Sequence, residues 1–178
     1  ARPGKWPGER SYDFFRDMLG QPETYVRSAE ETLLRIVREG RIRGSSWKTP
    51  GGSPLVAFTA LSLGDAQALM RWRKRFVRYS FEPYGVAIRK EALIRLGASA
   101  VAYDHVKNEA GSSVRVFTHA PGKDDHWAAE REWRLQGDLL LNDIPTDSVC
   151  LITPDDLCAE KLEKCTEGRY PVHALFRN

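Results

Sequence analysis

Apolar positions along the chain alternate between two periods, helix-spaced stripes and short runs of strand type. Ser11 precedes Tyr12-Asp13-Phe14-Phe15-Arg16-Asp17-Met18-Leu19 and Gly20, which places an N-cap, an apolar stripe and a closing glycine in the order of a short helix. A clearer helix is predicted over residues 28–40: Ser28 can cap, Glu31 stands three residues on, and Gly40 ends it. Leu33, Leu34, Ile36 and Val37 form its expected buried face, which leaves Arg35, Arg38 and Arg41 toward solvent. Strands are predicted at Arg41-Ile42-Arg43 and Leu55-Val56-Ala57-Phe58-Thr59, on either side of a Pro- and Gly-rich loop at residues 48–54.

Residues 65–79 show Ala66, Leu69, Met70, Phe76 and Val77 at helical spacing, which predicts a helix with a basic outer side. Further on, Val86-Ala87-Ile88 predicts a strand, Arg89 to Leu96 a short helix ending at Gly97, and Ala100-Val101-Ala102-Tyr103 another strand. Polar composition from Asp104 to Asp125 reads as a mobile loop, with Val114-Arg115-Val116-Phe117 extended inside it. Val149-Cys150-Leu151-Ile152 is a strand, followed by a closing helix that Thr153 caps with Pro154 at its first position. Short strands with interspersed helices and no regular βαβ repeat point to α+β: two small mixed or antiparallel sheets with flanking helices. Residues 1–10, rich in Pro, Gly and charge, read as an N-terminal arm, and 11–178 as a single domain.

The segment Trp127-Ala128-Ala129-Glu130-Arg131-Glu132-Trp133-Arg134 stands out. As a strand, its alternation puts Glu130, Glu132 and Arg134 on one face. As a helix, the two acids would diverge by roughly 200°. Gly137-Asp138 then marks a turn before Leu139-Leu140-Leu141, which favours a strand ending near Gly137. Paired acids facing a cleft can hold a hydroxyl, stabilise developing positive charge, or serve as acid and base. The same residues would also suit a surface strand whose glutamates pair with Arg131, Arg134 or a neighbour, each pair contributing about 0–1 kcal/mol.

Composition narrows the alternatives. With 178 residues, 42% hydrophobic and 29% charged, the chain can bury a core without staples. Cys150, Cys158 and Cys165, with seven and six residues between them, match no zinc or redox spacing and read as buried or partly buried free thiols. The histidines form no His-x-x-x-His pair, and neither a P-loop nor a GxGxxG turn is present, so no metal is expected. No apolar run approaches the roughly 20 residues of a membrane span, and the N-terminus lacks a signal-peptide core, so no membrane partner and a cytoplasmic location are expected. A net charge of +3 is mild, but Arg71, Arg73, Lys74, Arg75 and Arg78 concentrate it in one segment with Trp72 and Phe76 interleaved. Such a basic helix could grip phosphates and stack on bases, or simply be a solvated face. Tyr84, after Pro83, is placed either to stack on a ring or to pack against the arm.

The order of "LLRIVREGRIRGS", "VAFTALSL" and "EREWRL" resembles that of ADP-ribosyltransferases, over roughly residues 25–135. The resemblance implies an ADP-ribosyltransferase-like fold that takes NAD⁺ as substrate. It makes Glu132 the catalytic acid that holds the ribose and Glu130 the group that positions the acceptor. Phe58, Thr59 and Ser62 would lie near the nicotinamide ribose, with Tyr84 available to stack and an early arginine, Arg27 in preference to Arg43, on the nicotinamide side. Phe58-Thr59-Ala60 only partly matches the family's Ser-Thr-Ser. A second resemblance, carried by "FEPYGVAIRK", "GASAVAYD" and "HWAAEREWR" over residues 81–137, is to bacterial abortive-infection, phage-defence proteins. Together they imply an NAD⁺-dependent ADP-ribosyltransferase or NAD⁺ glycohydrolase in a bacterial defence or toxin setting, with a protein acceptor among the partners. The alternative is a non-enzymatic nucleic-acid-binding module that uses residues 71–78.

Overall fold

The computed structural model describes residues 10, 12, 28–46, 52–68, 70, 72–73, 78–79, 81–102, 117–118 and 130–176, and the fold is that of these residues. Ser28 sets the first helix, α1 (Ala29–Glu39): its hydroxyl oxygen accepts the Glu31 N–H at 3.2 Å. Glu30 and Glu31 in the first turn and Arg38 in the last complement the helix dipole. Gly40, at φ 61°, ends α1 by donating its N–H to the carbonyls of Ile36 and Val37, a left-handed position that glycine takes without Cβ strain. Ala29, Leu33 and Leu34 are buried, while Ile36 and Val37 are only half-buried.

The chain continues through β1 (Arg41–Ile42), β2 (Leu55–Thr59), α2 (Leu63–Ala68), β3 (Trp72–Arg73), β4 (Arg78–Tyr79), β5 (Gly85–Ile88), α3 (Lys90–Arg95), β6 (Ser99–Ala102) and β7 (Phe117–Thr118). It closes with β8 (Glu132–Gln136), β9 (Leu139–Leu140), two 3₁₀ turns at Leu141–Asp143 and Thr146–Ser148, β10 (Val149–Thr153), α4 (Asp156–Cys165) and β11 (Val172–Ala174). Helices and several small antiparallel and mixed sheets make this an α+β architecture. The residues group into two compact units, one from Ala1–Gly40, Leu63–Ala87 and Pro145–Asn178, the other from Arg41–Ser62 and Ile88–Ile144.

In the first unit, β10 is the middle strand of a sheet ordered β11-β10-β5, and β11 runs parallel to it with Leu151 opposite Val172. The connection between parallel neighbours is α4, so one βαβ unit is present. Val149, Leu151, Leu162 and Tyr170 are almost fully enclosed. The second unit is built on a sheet ordered β2-β8-β6-β7, with β1 and β9 paired separately. Val56 and Leu135 are buried on adjacent strands at directly opposed positions, and Leu93, Ala98, Val101 and Leu139 join the core.

A glycine clamp holds the end of the β2–β8 pair. Gly44 donates its N–H to Asp138 Oδ1 at 2.8 Å, and Arg41 Nη1 donates to Asp138 Oδ2 at 3.3 Å. A Cβ on Gly44 would collide with the Gly137 carbonyl oxygen, and Gly137 itself turns at φ 81° while donating its N–H to Pro54.

Several expectations need correction. The helix over 65–79 is instead α2, six residues long and ended by a Met70 N–H to Gln67 turn, followed by the antiparallel pair β3–β4. On a helix, Arg71 and Arg75, and Lys74 and Arg78, would stack as like charges four residues apart, whereas Trp72, Val77 and Tyr79 favour extended backbone. Thr153 is the last residue of β10, and its hydroxyl donates to the Asp155 carbonyl at 3.3 Å. Asp155 is the true cap of α4, accepting the Cys158 N–H at 2.8 Å, because a carboxylate bonded to that amide is a charge-assisted cap. Cys165 is exposed rather than buried, whereas Cys150 and Cys158 are half-buried, and all three are free. Strand β11 was not expected from the sequence. The helix at 11–20 lies outside the described residues except for Tyr12, which is helical and exposed; so do Trp127 and most of the 104–125 segment.

Candidate functional site

Strand β8 begins at Glu132, not earlier. Arg131 takes a left-handed conformation at φ 46°, so the alternation that would have carried Glu130 onto the face of Glu132 stops one residue short. The expectation of both acids on one strand face is therefore corrected. Glu130 sits in a turn, where its carbonyl accepts the Thr59 hydroxyl at 2.6 Å. The Leu61 N–H donates to that same hydroxyl oxygen at 3.2 Å, and the Ala60 N–H donates to the Arg131 carbonyl at 3.1 Å. Thr59 thus ties the end of β2 to the start of β8.

Within β8, alternation does place Glu132 and Arg134 on one face. Arg134 Nε donates to Glu132 Oε1 at 2.8 Å and Nη2 donates to Oε2 at 3.1 Å, a bidentate pair whose side chains are 19% (Glu132) and 10% (Arg134) exposed. Register sets Thr59 opposite Glu132, Phe58 opposite Trp133 and Ala57 opposite Arg134 on β2, with Ser99 opposite Arg134 on β6. Phe58 and Trp133 are half-buried on the other face of the sheet, where Lys90 Nζ stands 4.7 Å from the Trp133 ring centre. Ser62 is exposed, three residues beyond Thr59. Glu130, Glu132, Phe58, Thr59 and Ser62 thus all belong to the second unit.

Tyr84 belongs to the first unit and is half-buried there, while the arm that it was expected to pack against lies, apart from Arg10, outside the described residues. Its hydroxyl lies 3.4 Å from Cys158 Sγ. Burial first, then the bond to Cys158, pushes the phenol well above the ordinary tyrosine range. Burial likewise raises the Cys158 thiol, which opposes its use as a thiolate. Glu30, Leu33, Tyr84, Thr153, Cys158 and Lys161 line a cleft of about 10 Å³, which is room for about one water. Two of these lining residues pair, Lys161 Nζ donating to Glu30 Oε1 at 2.5 Å. A cleft of that size takes no nucleotide.

Of the other expected site residues, Arg27, Arg71, Lys74 and Arg75 lie outside the described residues, and Arg43 is exposed just after β1. Arg73 and Arg78 fall on β3 and β4, where register sets them directly opposite each other. Among the described residues, no helix is long and apolar enough to cross a membrane, and no group of three or more His, Cys, Asp or Glu could hold a metal ion. The Glu132–Arg134 pair is one that the surface-strand alternative allowed from the sequence, since a spacing of two sets both residues on one strand face; what the sequence did not show is its bidentate geometry. Compared with family models, curated proteins and solved structures, the chain gives no match.

Proposed function

We propose that the start of β8, with β2 beside it, forms part of an NAD⁺-cleaving site, making the protein an ADP-ribosyltransferase or NAD⁺ glycohydrolase of a bacterial defence or toxin system. The observation that supports this most is the pairing of Thr59 with Glu132 on adjacent antiparallel strands, which puts a poorly exposed carboxylate beside the strand whose Phe58-Thr59-Ala60 partly matches the family's Ser-Thr-Ser. In such a reaction the bond between the ribose C1 and the nicotinamide nitrogen breaks, and its electron pair leaves with nicotinamide. Water or a protein nucleophile then bonds to C1 and loses a proton. The transition state carries positive charge on the sugar ring, which a nearby carboxylate stabilises while accepting a ribose hydroxyl. Glu132 suits that role. Thr59, whose hydroxyl is committed to Glu130 and Leu61, orders the strand ends, whereas Phe58 lies with Trp133 on the opposite sheet face, away from the Glu132 carboxylate.

Nicotinamide release from NAD⁺ by the purified chain tests this, with Glu132→Gln expected to cut release to a small residual rate while the circular dichroism spectrum holds. Full activity in that variant would remove Glu132 from the site. A second reading, nucleic acid bound through Arg71, Arg73, Lys74, Arg75 and Arg78, draws on the backbone register that sets Arg73 opposite Arg78 in the β3–β4 pair. It calls for salt-dependent binding of DNA or RNA that fails when Arg73, Lys74 and Arg75 are all replaced by Ala.

A further inference from the structure

We infer that Arg134 is the positioning residue for Glu132, holding its carboxylate plane in the orientation that NAD⁺ cleavage needs; this rests on the reading of Glu132 given above. A glutamate side chain turns freely about its last torsion, so one hydrogen bond would leave the carboxylate plane undefined. Two parallel bonds, Nε to Oε1 at 2.8 Å and Nη2 to Oε2 at 3.1 Å, fix that plane to the guanidinium plane. The pair is made inside one strand, between residues two apart on one face, so its geometry depends on β8 itself. Small neighbours favour it: Ala57 on β2 and Ser99 on β6 are the residues opposite Arg134, and neither is bulky enough to turn the long side chain away from Glu132. With Arg134 only 10% exposed, the arrangement is also shielded from the solvent competition that loosens surface pairs.

The pairing leaves Glu132 chemically competent. An ionised carboxylate offers about four acceptor directions, and the guanidinium takes one on each oxygen. About two remain, enough for the neighbouring hydroxyls of a ribose. A lysine in the same place would supply charge as a point and could not fix the plane. Arg134 touches no reacting atom in this scheme and acts through Glu132.

Steady-state nicotinamide release from NAD⁺ separates the possibilities, using the full chain with Arg134→Lys, Arg134→Gln, Glu132→Gln and the double variant Glu132→Gln/Arg134→Lys. Arg134→Lys is expected to lower kcat by about tenfold or more, with KM for NAD⁺ held within about twofold, and Arg134→Gln by about a hundredfold, the scale of loss that follows misplacement of a catalytic group by an ångström. The double variant should be no slower than Glu132→Gln alone, because a positioning residue has nothing left to position. Wild-type kcat in Arg134→Lys, or losses that multiply in the double variant, would overturn the assignment while leaving NAD⁺ cleavage standing. A wild-type chain that releases no nicotinamide overturns the NAD⁺ reading, and this assignment with it. Should Arg134→Gln fail to fold, the Lys and double variants still decide.

Discussion

Replacing Gly44 by alanine tests the clamp that holds β2 in register with β8, on which the pairing of Thr59 with Glu132 depends. A one-residue slip would move every side chain of β2 to the opposite face. The added Cβ would collide with the Gly137 carbonyl oxygen and stand 3.0 Å from the Gly137 carbonyl carbon and 3.1 Å from the Leu55 nitrogen. All three atoms are backbone, so no side chain can swing away. Relief requires the 44–45 segment to separate from Gly137 and Leu55. That weakens the Gly44 N–H to Asp138 bond of 2.8 Å and the paired bonds between Ser45 and Leu55 of 2.8 and 3.1 Å. Overpacking of this kind costs about 1–3 kcal/mol, and the three strained but unbroken hydrogen bonds together about 1 kcal/mol. The lower entropy of the unfolded alanine chain returns about 0.4–1 kcal/mol. A net loss of about 2–3 kcal/mol follows, or about 4–12 °C in Tm for a chain of this length. Urea unfolding, with the slope checked for constancy, measures it. Gly64→Ala is the control, because a Cβ there meets nothing within 4 Å and the residue is helical; it should be neutral or slightly stabilising. A Gly44→Ala variant within about 0.5 kcal/mol of wild type would refute the clamp.

Two further tests address the first unit. Ser28→Ala removes the acceptor for the Glu31 N–H and should cost about 1 kcal/mol in urea unfolding, while Ser28→Asp should restore most of it; equal stability of all three would deny the cap. Tyr84 should ionise above the ordinary tyrosine range, a step that a spectrophotometric titration reads as the difference between wild type and Tyr84→Phe. With a raised folded pKa, the stability it contributes is complete below about pH 10 and is lost as pH rises beyond it, so Tyr84→Phe should flatten the alkaline fall in Tm. An unchanged alkaline slope in that variant would contradict the burial of the hydroxyl beside Cys158.

Elements with their own local punctuation were legible in the sequence. Helix α1 carries its cap and its closing glycine, β2 lies where the Val-Phe-Thr run predicts it, and α3 ends just before Gly97 at φ 89°. The failures share a cause, which is competition that periodicity alone does not weigh. Over 65–79, apolar residues matched a helical period, but repulsion between stacked arginines and the β preference of the aromatics won. Around 153–156 two capping residues were available, and Asp155 outcompeted Thr153 because its charged oxygen meets the Cys158 amide. Strand β11 is three residues long and takes its stability from parallel pairing with β10, a long-range contact that a local pattern does not show. For the candidate site, Glu132 and Arg134 were rightly set on one face, whereas Glu130 was not, and the difference turns on a single residue.

That residue is Arg131. A left-handed conformation costs a non-glycine residue about 1–2 kcal/mol, and here it is held by bonds on either side, from the Thr59 hydroxyl to the Glu130 carbonyl and from the Ala60 N–H to the Arg131 carbonyl. Arg131 is exposed, so its side chain can be exchanged with little effect on packing. Glycine removes the Cβ strain but adds about 0.5–1 kcal/mol of unfolded-state entropy, which leaves Arg131→Gly between neutral and about 1.5 kcal/mol more stable. Valine, β-branched and poorly tolerated at positive φ, should instead lose about 1–2 kcal/mol. Thermal melts of the three proteins check the order Gly at or above Arg, and Arg above Val. If Val proved as stable as Arg, residue 131 would have to be extended, the alternation would run unbroken from Glu130 to Arg134, and both acids would share the face of Glu132 after all. Nicotinamide release in Arg131→Gly then sharpens the point: with Glu130 turned off the strand, cleavage should depend on Glu132 and survive Glu130→Gln in either background.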